Sequence, residues 1–264
     1  MATAATLSTD EWRSWVGAVN GDAWNVALNI IASAITGSVV WLTGRLVARR
    51  RLGRKREFFG LVADSDYLVV VPRHASSNQD NSVHRNDAAA LLELSATLGD
   101  CGARPDVIFH DQNYEGVADK AEFCIGGPTA NRRTVAHMRS ALPGLDFIES
   151  ERSQPVAIAV GEHHYEFERG RVEHVALAKI VRGPKDKPTF LICGQSSASN
   201  RAAGRYLASH YRDLMRAHGT RGRFCVVLRV LEPEVYGPNV VEPAGDVTDA
   251  VFTRNVLVAG ATGS

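Results

Sequence analysis

Two loops that follow predicted strands share the spacing Cys-x6-Asn-Arg. The residues that form this pattern are Cys124, Asn131 and Arg132 in one loop and Cys193, Asn200 and Arg201 in the other. Glycine, which lets a backbone approach a ligand closely, follows each cysteine within two positions. The free N–H groups at the start of a helix attract anions, and serine hydroxyls add further donors. The pattern therefore predicts loops that bind a phosphate or another small anion.

A third loop, which follows the strand ending at Val71, also carries small hydroxyl residues before an asparagine. The candidate ligand-binding residues of the three loops are Arg73, His74, Ser76, Ser77, Asn78, Gly126, Gly127, Pro128, Asn131, Arg132, Gly194, Gln195, Ser196, Ser197, Ser199, Asn200 and Arg201. Of these, Arg132 or Arg201 is expected to pair with a phosphate. The alternative is a structural role, since Gly-Gly-Pro forms turns and the asparagines and Ser199 are of the types that cap helices.

Metal and cofactor chemistry has little support in the sequence. Neither glycine-containing loop has the spacing of a dinucleotide fingerprint or a P-loop, so we expect no cofactor. His163 and His164 are adjacent in a predicted strand, where neighbouring side chains point to opposite faces, so we expect no metal there. The cysteines, Cys101, Cys124, Cys193 and Cys225, form no Cys-x-x-Cys pair and are expected to be reduced core residues.

Catalysis is the less favoured interpretation. Asp111 and Glu115 lie after a predicted strand end, where α/β enzymes often carry catalytic carboxylates. The chain contains no Gly-x-Ser-x-Gly motif, and its cysteines lie in apolar runs. An enzyme acting on nucleosides or nucleotides through Asp111, Glu115 or His74 is kept as an alternative to a binding protein.

An uncharged stretch near the N-terminus predicts a membrane-spanning helix. Residues 24–44 carry no charge, and about 20 apolar residues cross a hydrocarbon core as a helix. The basic residues Arg45, Arg49, Arg50, Arg51, Arg54, Lys55 and Arg56 follow, and positive flanks stay in the cytoplasm. A helix lying on the membrane surface and a buried helix of a soluble protein are the alternatives. Ser33 and Gly37, spaced four apart, would allow close approach of two helices and hence a homo-oligomer.

This helix sets the expected organisation of the chain. Residues 1–23 form an extracytoplasmic N-terminus, 24–44 a transmembrane helix, 45–60 a basic juxtamembrane linker and 61–264 a cytoplasmic α/β ligand-binding domain. The protein is thus expected in the cell membrane, with the lipid bilayer as a partner. The formal charge of +1 argues against binding to a nucleic-acid duplex.

Alternating short apolar runs and helical patterns predict a mostly parallel, Rossmann-like sheet. The expected strands are 67–71, 106–109, 122–125, 145–148, 189–193 and 223–231, and the expected helices are 88–98, 130–142 and 200–218. Asn86 and Asp87 are expected to cap the first of these helices. Strands 156–160, 164–168 and 175–181 are expected to form a small antiparallel insertion, and the residues after Pro233 have no firm assignment.

The segments FCIGGPTANRRT and FLICGQSSASNRAAGRYLA resemble the Rossmann-like sensor domains of bacterial nucleotide-dependent signalling and phage-defence systems, in which a membrane segment is often fused to the sensor. The resemblance implies recognition of a nucleotide-derived signal and an output at the membrane. No residue corresponds to the glutamate of the nucleotide-cleaving relatives, which puts hydrolysis in doubt. A membrane-tethered scaffold that only binds a partner protein is a further alternative.

Overall fold

The computed structural model describes residues 9–74, 77, 82–113, 119–151 and 155–253, with the side chains of the first helix described at 24–25, 28–30 and 33–59. Two compact units are present, Met1–Gly53 and Arg54–Ser264. The first helix, α1, is Thr9–Phe59. The second unit holds the strands β1 (Asp66–Val71), β2 (Arg104–Phe109), β3 (Glu122–Ile125), β4 (Leu145–Glu149), β5 (Pro155–Val160), β6 (His163–Glu166), β7 (Val172–Ile180), β8 (Thr189–Gly194), β9 (Phe224–Leu231) and β10 (Val241–Asp246). Its helices are α2 (Arg85–Leu98), α3 (Arg132–Ala141), α4 (Ser197–His218), α5 (Pro233–Tyr236) and α6 (Thr248–Phe252).

The main sheet has seven strands in the order β10-β9-β7-β8-β3-β1-β2. Strands β8, β3, β1 and β2 are parallel, whereas β7 and β10 run antiparallel to their neighbours. Strands β4, β5 and β6 form a separate antiparallel sheet. The predicted α/β class, with a mostly parallel sheet and a small antiparallel part, is confirmed.

The membership of the two sheets differs from the prediction in two strands. The strand expected at 175–181 in the antiparallel insertion is β7, which lies inside the main sheet between β8 and β9. The strand expected at 145–148 is β4, which belongs to the small sheet. The physical reason is burial, since Val175 to Ile180 are all buried. A strand that is covered on both faces has the same apolar sequence pattern whether its neighbours are parallel or antiparallel. The residues after Pro233 include β10, which pairs with β9.

Both faces of the main sheet are covered. On one face, α3, the small sheet and α6 pack over aliphatic side chains and three of the four cysteines. On the other face, α2 and α4 lie over an aromatic cluster that consists of Phe58, Phe59, Tyr67, Phe123, Phe190, Tyr211 and Phe224. All four cysteines are buried and unpaired, as predicted from their apolar surroundings.

The basic stretch 45–60, expected to be a linker, is helical through Phe59. The second compact unit, which begins at Arg54, includes the last turn of this helix. Phe58 and Phe59 are fully buried in the aromatic cluster, and Lys55 is 6% exposed. The reason is that the last turn of α1 carries two large apolar side chains, which stabilise the helix by packing rather than by propensity.

Among the described residues, one helix is long and apolar enough to span a membrane, within Leu28–Phe59. None of its most apolar window is buried among the described residues, and large side chains such as Ile35 and Trp41 are about 60% exposed. A contiguous exposed apolar surface of this kind calls for a partner such as lipid or another protein.

Candidate functional site

The three loops predicted to bind a ligand meet at the carboxyl ends of the parallel strands of the main sheet. Strands β8, β3 and β1 are adjacent and parallel, so their carboxyl ends, Gly194, Ile125 and Val71, lie at the same edge. The chain leaves β1 toward β2 on one side, while β3 and β8 lie on the other side of β1. This reversal of strand order is the point at which open α/β sheets place their ligands.

A cavity of about 200 Å³ opens between the three loops. Its lining consists of Pro72, Arg73, His74, His84, Asp87, Gly127, Thr129, Ala130, Gly194, Gln195, Ser196, Ser197 and Asn200. We call this cavity the loop pocket. It contains predicted residues from all three loops, together with His84 and Asp87 from the start of α2, which the sequence reasoning did not assign to a site.

Arg73 is the cationic side chain of the loop pocket. Its Nε donates to Asp111 Oδ2 at 2.8 Å, and its guanidinium lies 4.4 Å from the centre of the Phe109 ring. The Arg73 guanidinium also lowers the pKa of Asp111. These two contacts hold the guanidinium at the pocket edge, where it is able to pair with a phosphate or carboxylate. Asp111, a predicted catalytic carboxylate, is thus an ion-pair partner and does not line the pocket.

Asp87 provides the buried acid of the loop pocket. The side chain was expected to cap α2, but His84 is the N-cap, and its Nδ1 accepts from the N–H of Asn86. Asp87 instead lies in the first turn, 3% exposed, where its Oδ1 accepts from Asn200 Nδ2 at 3.1 Å. Burial raises the pKa of Asp87 to about 6, while the hydrogen bond from Asn200 and the nearby His74 act in the opposite direction.

Two histidines lie beside this acid. The rings of His74 and His84 stack with their centres 5.2 Å apart and their planes at 24°. Burial, with a smaller contribution from His74, lowers the pKa of His84. A neutral imidazole at neutral pH offers the pocket a donor or an acceptor without fixing a charge.

The two asparagines of the shared spacing hold the loops rather than line them with free amides. Asn131 Nδ2 donates to Ile125 O at 2.8 Å, and Asn200 Oδ1 accepts from Gly194 N at 2.8 Å. In both loops the side chain therefore returns to the residue that follows the cysteine. Asn131 also caps α3, and the Nδ2 of Asn200 donates to Asp87 Oδ1. The sequence repeat thus has a structural cause.

The helix N-termini expected to attract an anion are largely occupied by caps. Asn131 accepts from the N–H groups of Arg133 and Thr134 at the start of α3. Ser196 accepts from the N–H groups of Ala198 and Ser199 at the start of α4, and its hydroxyl donates to the buried Glu173. The dipoles of the two helices still favour negative charge nearby, but these N–H groups are already bonded within the chain.

The glycines of the loops after β3 and β8 allow the two backbones to touch. A Cβ atom at Gly127 would lie 2.6 Å from Gly194 O, and one at Gly194 would lie 2.5 Å from Ser199 Oγ. Gly126 has a φ of +109°, a left-handed conformation that side chains disfavour. Close packing of the loops explains these glycines without a ligand.

The remaining predicted residues either lie away from the loop pocket or have their polar groups bonded within the chain. Arg132 is exposed, and Arg201 faces Glu93 on α2, with 3.6 Å between Arg201 Nε and Glu93 Oε1. Gln195 lines the pocket, but its amide bonds His174 N and Tyr165 O. Of the other predicted residues, Pro128 lines a separate groove of about 650 Å³ between α3 and β4, and Ser77, Gly126, Asn131 and Ser199 do not line the loop pocket. Ser76, Asn78 and Glu115 lie outside the described residues.

A buried cluster formed by residues of β3 and α3 has the residue types of a metal site. The ligand atoms of Glu122, Cys124 and His137 lie within 4.8 Å of one another. Glu122 Oε1, however, already accepts from Arg133 Nε at 2.6 Å and from His137 Nε2 at 3.1 Å. The second ring nitrogen of His137 accepts from Arg182 Nη2 at 2.8 Å. Two guanidinium groups beside the cluster repel a cation, so this arrangement fits a buried ion-pair network better than a metal site.

The network holds its carboxylate ionised. Burial by itself would raise the pKa of Glu122, but the hydrogen bonds from His137 and Arg133 outweigh it and hold the pKa at about 2. His163 and His164, at the start of β6, are exposed.

Comparison with known proteins adds no relative from which a site could be transferred. No family model, no curated protein and no solved structure matches the chain.

Proposed function

We propose that this protein is a membrane-anchored sensor whose cytoplasmic domain binds a small anionic ligand of the nucleotide type in the loop pocket. The observation that carries the proposal is the convergence of Arg73, Asp87 and the two glycine loops at the point where strand order reverses. The likeness of the two loop segments to bacterial signalling and defence sensors points in the same direction.

The chemistry of the loop pocket suits a sugar phosphate. A guanidinium binds phosphate through paired N–H groups, which gives Arg73 its role. A carboxylate accepts hydrogen bonds from hydroxyl groups such as those of ribose, which gives Asp87 its role. The volume of about 200 Å³ is smaller than that of pockets that enclose drug-sized ligands, so it fits one ribose phosphate unit rather than a dinucleotide.

The membrane part of the proposal rests on α1. Its exposed apolar run and the arginines that follow it favour a single pass with the second unit in the cytoplasm. Self-association of α1 through Ser33 and Gly37 would then give a homo-oligomer as the signalling form.

Thermal unfolding of the full chain in detergent tests the ligand class. We expect AMP and ribose 5-phosphate to raise the melting temperature and adenosine to have little effect, because a ligand that binds only the folded state stabilises it by mass action. Arg73→Ala should abolish the shift, whereas Arg132→Ala, an exposed arginine outside the pocket, should retain it. If no probe shifts the melting temperature at millimolar concentration, or if both variants lose the shift equally, the proposal fails.

A second candidate function is hydrolysis or group transfer at the same pocket. The observation that favours it is Asp87, a buried carboxyl whose pKa of about 6 suits a general acid or base near neutral pH. Release of adenine or phosphate from AMP by the purified chain, abolished by Asp87→Asn, would support this function. Binding of AMP without any product would exclude this nucleotide as a substrate and favour the sensor.

A further inference from the structure

Helices α2 and α4 connect the loop pocket to the last turn of α1. At their N-terminal ends, α2 contributes Asp87 to the pocket and α4 contributes Ser197 and Asn200. At the far end of α2, Lys55 of α1 bonds Asp100 Oδ1 at 2.6 Å and contacts the carbonyl of Thr97. Helix α2 therefore spans the distance between the pocket and the last turn of α1.

On the α4 side, the last turn of α1 is held by ring contacts and ion pairs. The Lys55 ammonium lies 5.2 Å from the centre of the Tyr211 ring of α4. Beyond α4, Arg221 Nε pairs with Glu57 Oε1 at 2.6 Å. Beneath the turn, the buried Lys179 of β7 lies 4.4 Å from the centre of the Phe58 ring and donates to Thr220 O at 2.6 Å.

The two helices are joined to each other at the pocket end. Asn200 Nδ2 donates to Asp87 Oδ1, and Asn86 Nδ2 donates to Ser197 Oγ at 3.4 Å. Midway along the pair, a Cβ atom at Gly204 would lie 3.2 Å from Ala90 Cβ, so the two backbones approach closely there. A pair packed this tightly shifts as a unit rather than deforming, because close-packed interiors transmit displacement.

We infer that α2 and α4 couple the loop pocket to the end of α1, so that a change at the Asp87–Asn200 contact alters how firmly the last turn of α1 is held. This inference rests on the proposed function, because under that function the last turn of α1 responds to ligand binding in the loop pocket. By linkage, the coupling is reciprocal: loosening α1 weakens binding in the pocket by the same factor.

The chain offers a matched pair of variants for this test. Asn200 holds the loop before α4, and Asn131 holds the equivalent loop before α3, whose helix covers the opposite face of the sheet. The readout is hydrogen exchange of the amides of Gly60 and Leu61, which bond Glu57 O and Arg56 O at the end of α1. Asn200→Ala in the full chain should speed this exchange at least about fivefold, the lower end of typical coupling, and Asn131→Ala should leave it near the wild-type rate.

Equal acceleration by both variants, or none with Asn200→Ala, would overturn the inference. If Asn200→Ala does not fold, Asn200→Asp keeps the side-chain shape and puts a second carboxylate against Asp87; the same acceleration is expected, and its absence has the same meaning.

Adding AMP separates this inference from the proposed function. Where AMP raises the melting temperature, it should also slow exchange at Gly60 and Leu61, and Arg73→Ala should remove both effects. Binding of AMP without slower exchange would overturn the coupling and leave the sensor proposal standing. No binding of AMP together with the Asn200→Ala effect would leave the coupling standing and remove AMP as the type of ligand.

Discussion

At the scale of single residues, the buried acid in the loop pocket makes folding depend on pH. The pKa of Asp87 is about 6 in the folded chain against 3.8 for the ordinary side chain. The native state therefore holds more protons between these values, and the stability that this proton provides is complete below 3.8 and is lost as the pH rises through 6. At neutral pH the folded chain holds the ionised Asp87 carboxylate in a buried position, which lowers the stability of the fold. Buried charged groups of this kind are typical of functional sites.

Asp87→Asn should remove this cost. Because an amide stays neutral and still accepts from Asn200, we expect the variant to be about 1–3 kcal/mol more stable than wild type at pH 7.5 and to show little gain near pH 4. Urea unfolding at the two pH values measures the difference. Asp111→Asn, at an exposed carboxylate whose pKa is lowered, should give no gain at pH 7.5. A gain at pH 4 equal to that at pH 7.5 would contradict the assignment.

At the same scale, the candidate residues separate into those that line the cavity and those that hold the loops. Arginine, serine and glycine at strand ends are the types that bind anions, and several residues chosen on that basis line one cavity. Asparagine serves equally well as a hydrogen-bond clamp, and Asn131 and Asn200 have that role. Asp87 resembles a helix cap in the sequence, and only the position of His84 shows that it is not one.

At the scale of elements, contact between the loops after β3 and β8 depends on glycine. Gly127→Ala should destabilise the chain by about 2–3 kcal/mol, because its Cβ would lie 2.6 Å from the backbone oxygen of Gly194 and one loop must move. Gly99→Ala is the matched control: nothing lies within 4 Å of the added Cβ, and the backbone is right-handed helical. Chemical denaturation should show that control to be neutral or slightly stabilising. A neutral Gly127→Ala would mean that the loops are not in contact.

Membrane insertion of α1 is tested by placing charged residues in its apolar run. Ile35→Arg combined with Val39→Arg should move the full chain from the membrane pellet to the soluble or aggregated fraction, since each arginine costs about 2.5–3.5 kcal/mol at the centre of a spanning helix. Both side chains are exposed in the fold, so the second unit should be unaffected. Leu46→Arg with Val47→Arg, in the basic flank, should leave the chain in the pellet. Retention of the first variant in membranes would contradict a spanning helix.

At the scale of the whole molecule, alternation of strands and helices was enough to predict the α/β class and most of the strands. The helix that follows β3 was expected from residue 130 but begins at Arg132, after its N-cap Asn131, a residue type that caps helices. The pairing of β7 could not be predicted in this way, because which strands neighbour it depends on contacts distant in the sequence. The same holds for the aromatic contacts that place Phe58 and Phe59 in the domain core.

Within the second unit, α2 and α4 reach from the loop pocket to the last turn of α1. In the proposed function, the three loops after β1, β3 and β8 form the ligand site. Photolabelling of the full chain with 8-azido-AMP, followed by peptide mapping, locates that site directly. We expect labelled peptides from the loops after β1, β3 and β8, and we expect excess AMP and Arg73→Ala to reduce the labelling. Labelling confined to the groove between α3 and β4, or labelling that excess AMP does not reduce, would contradict it.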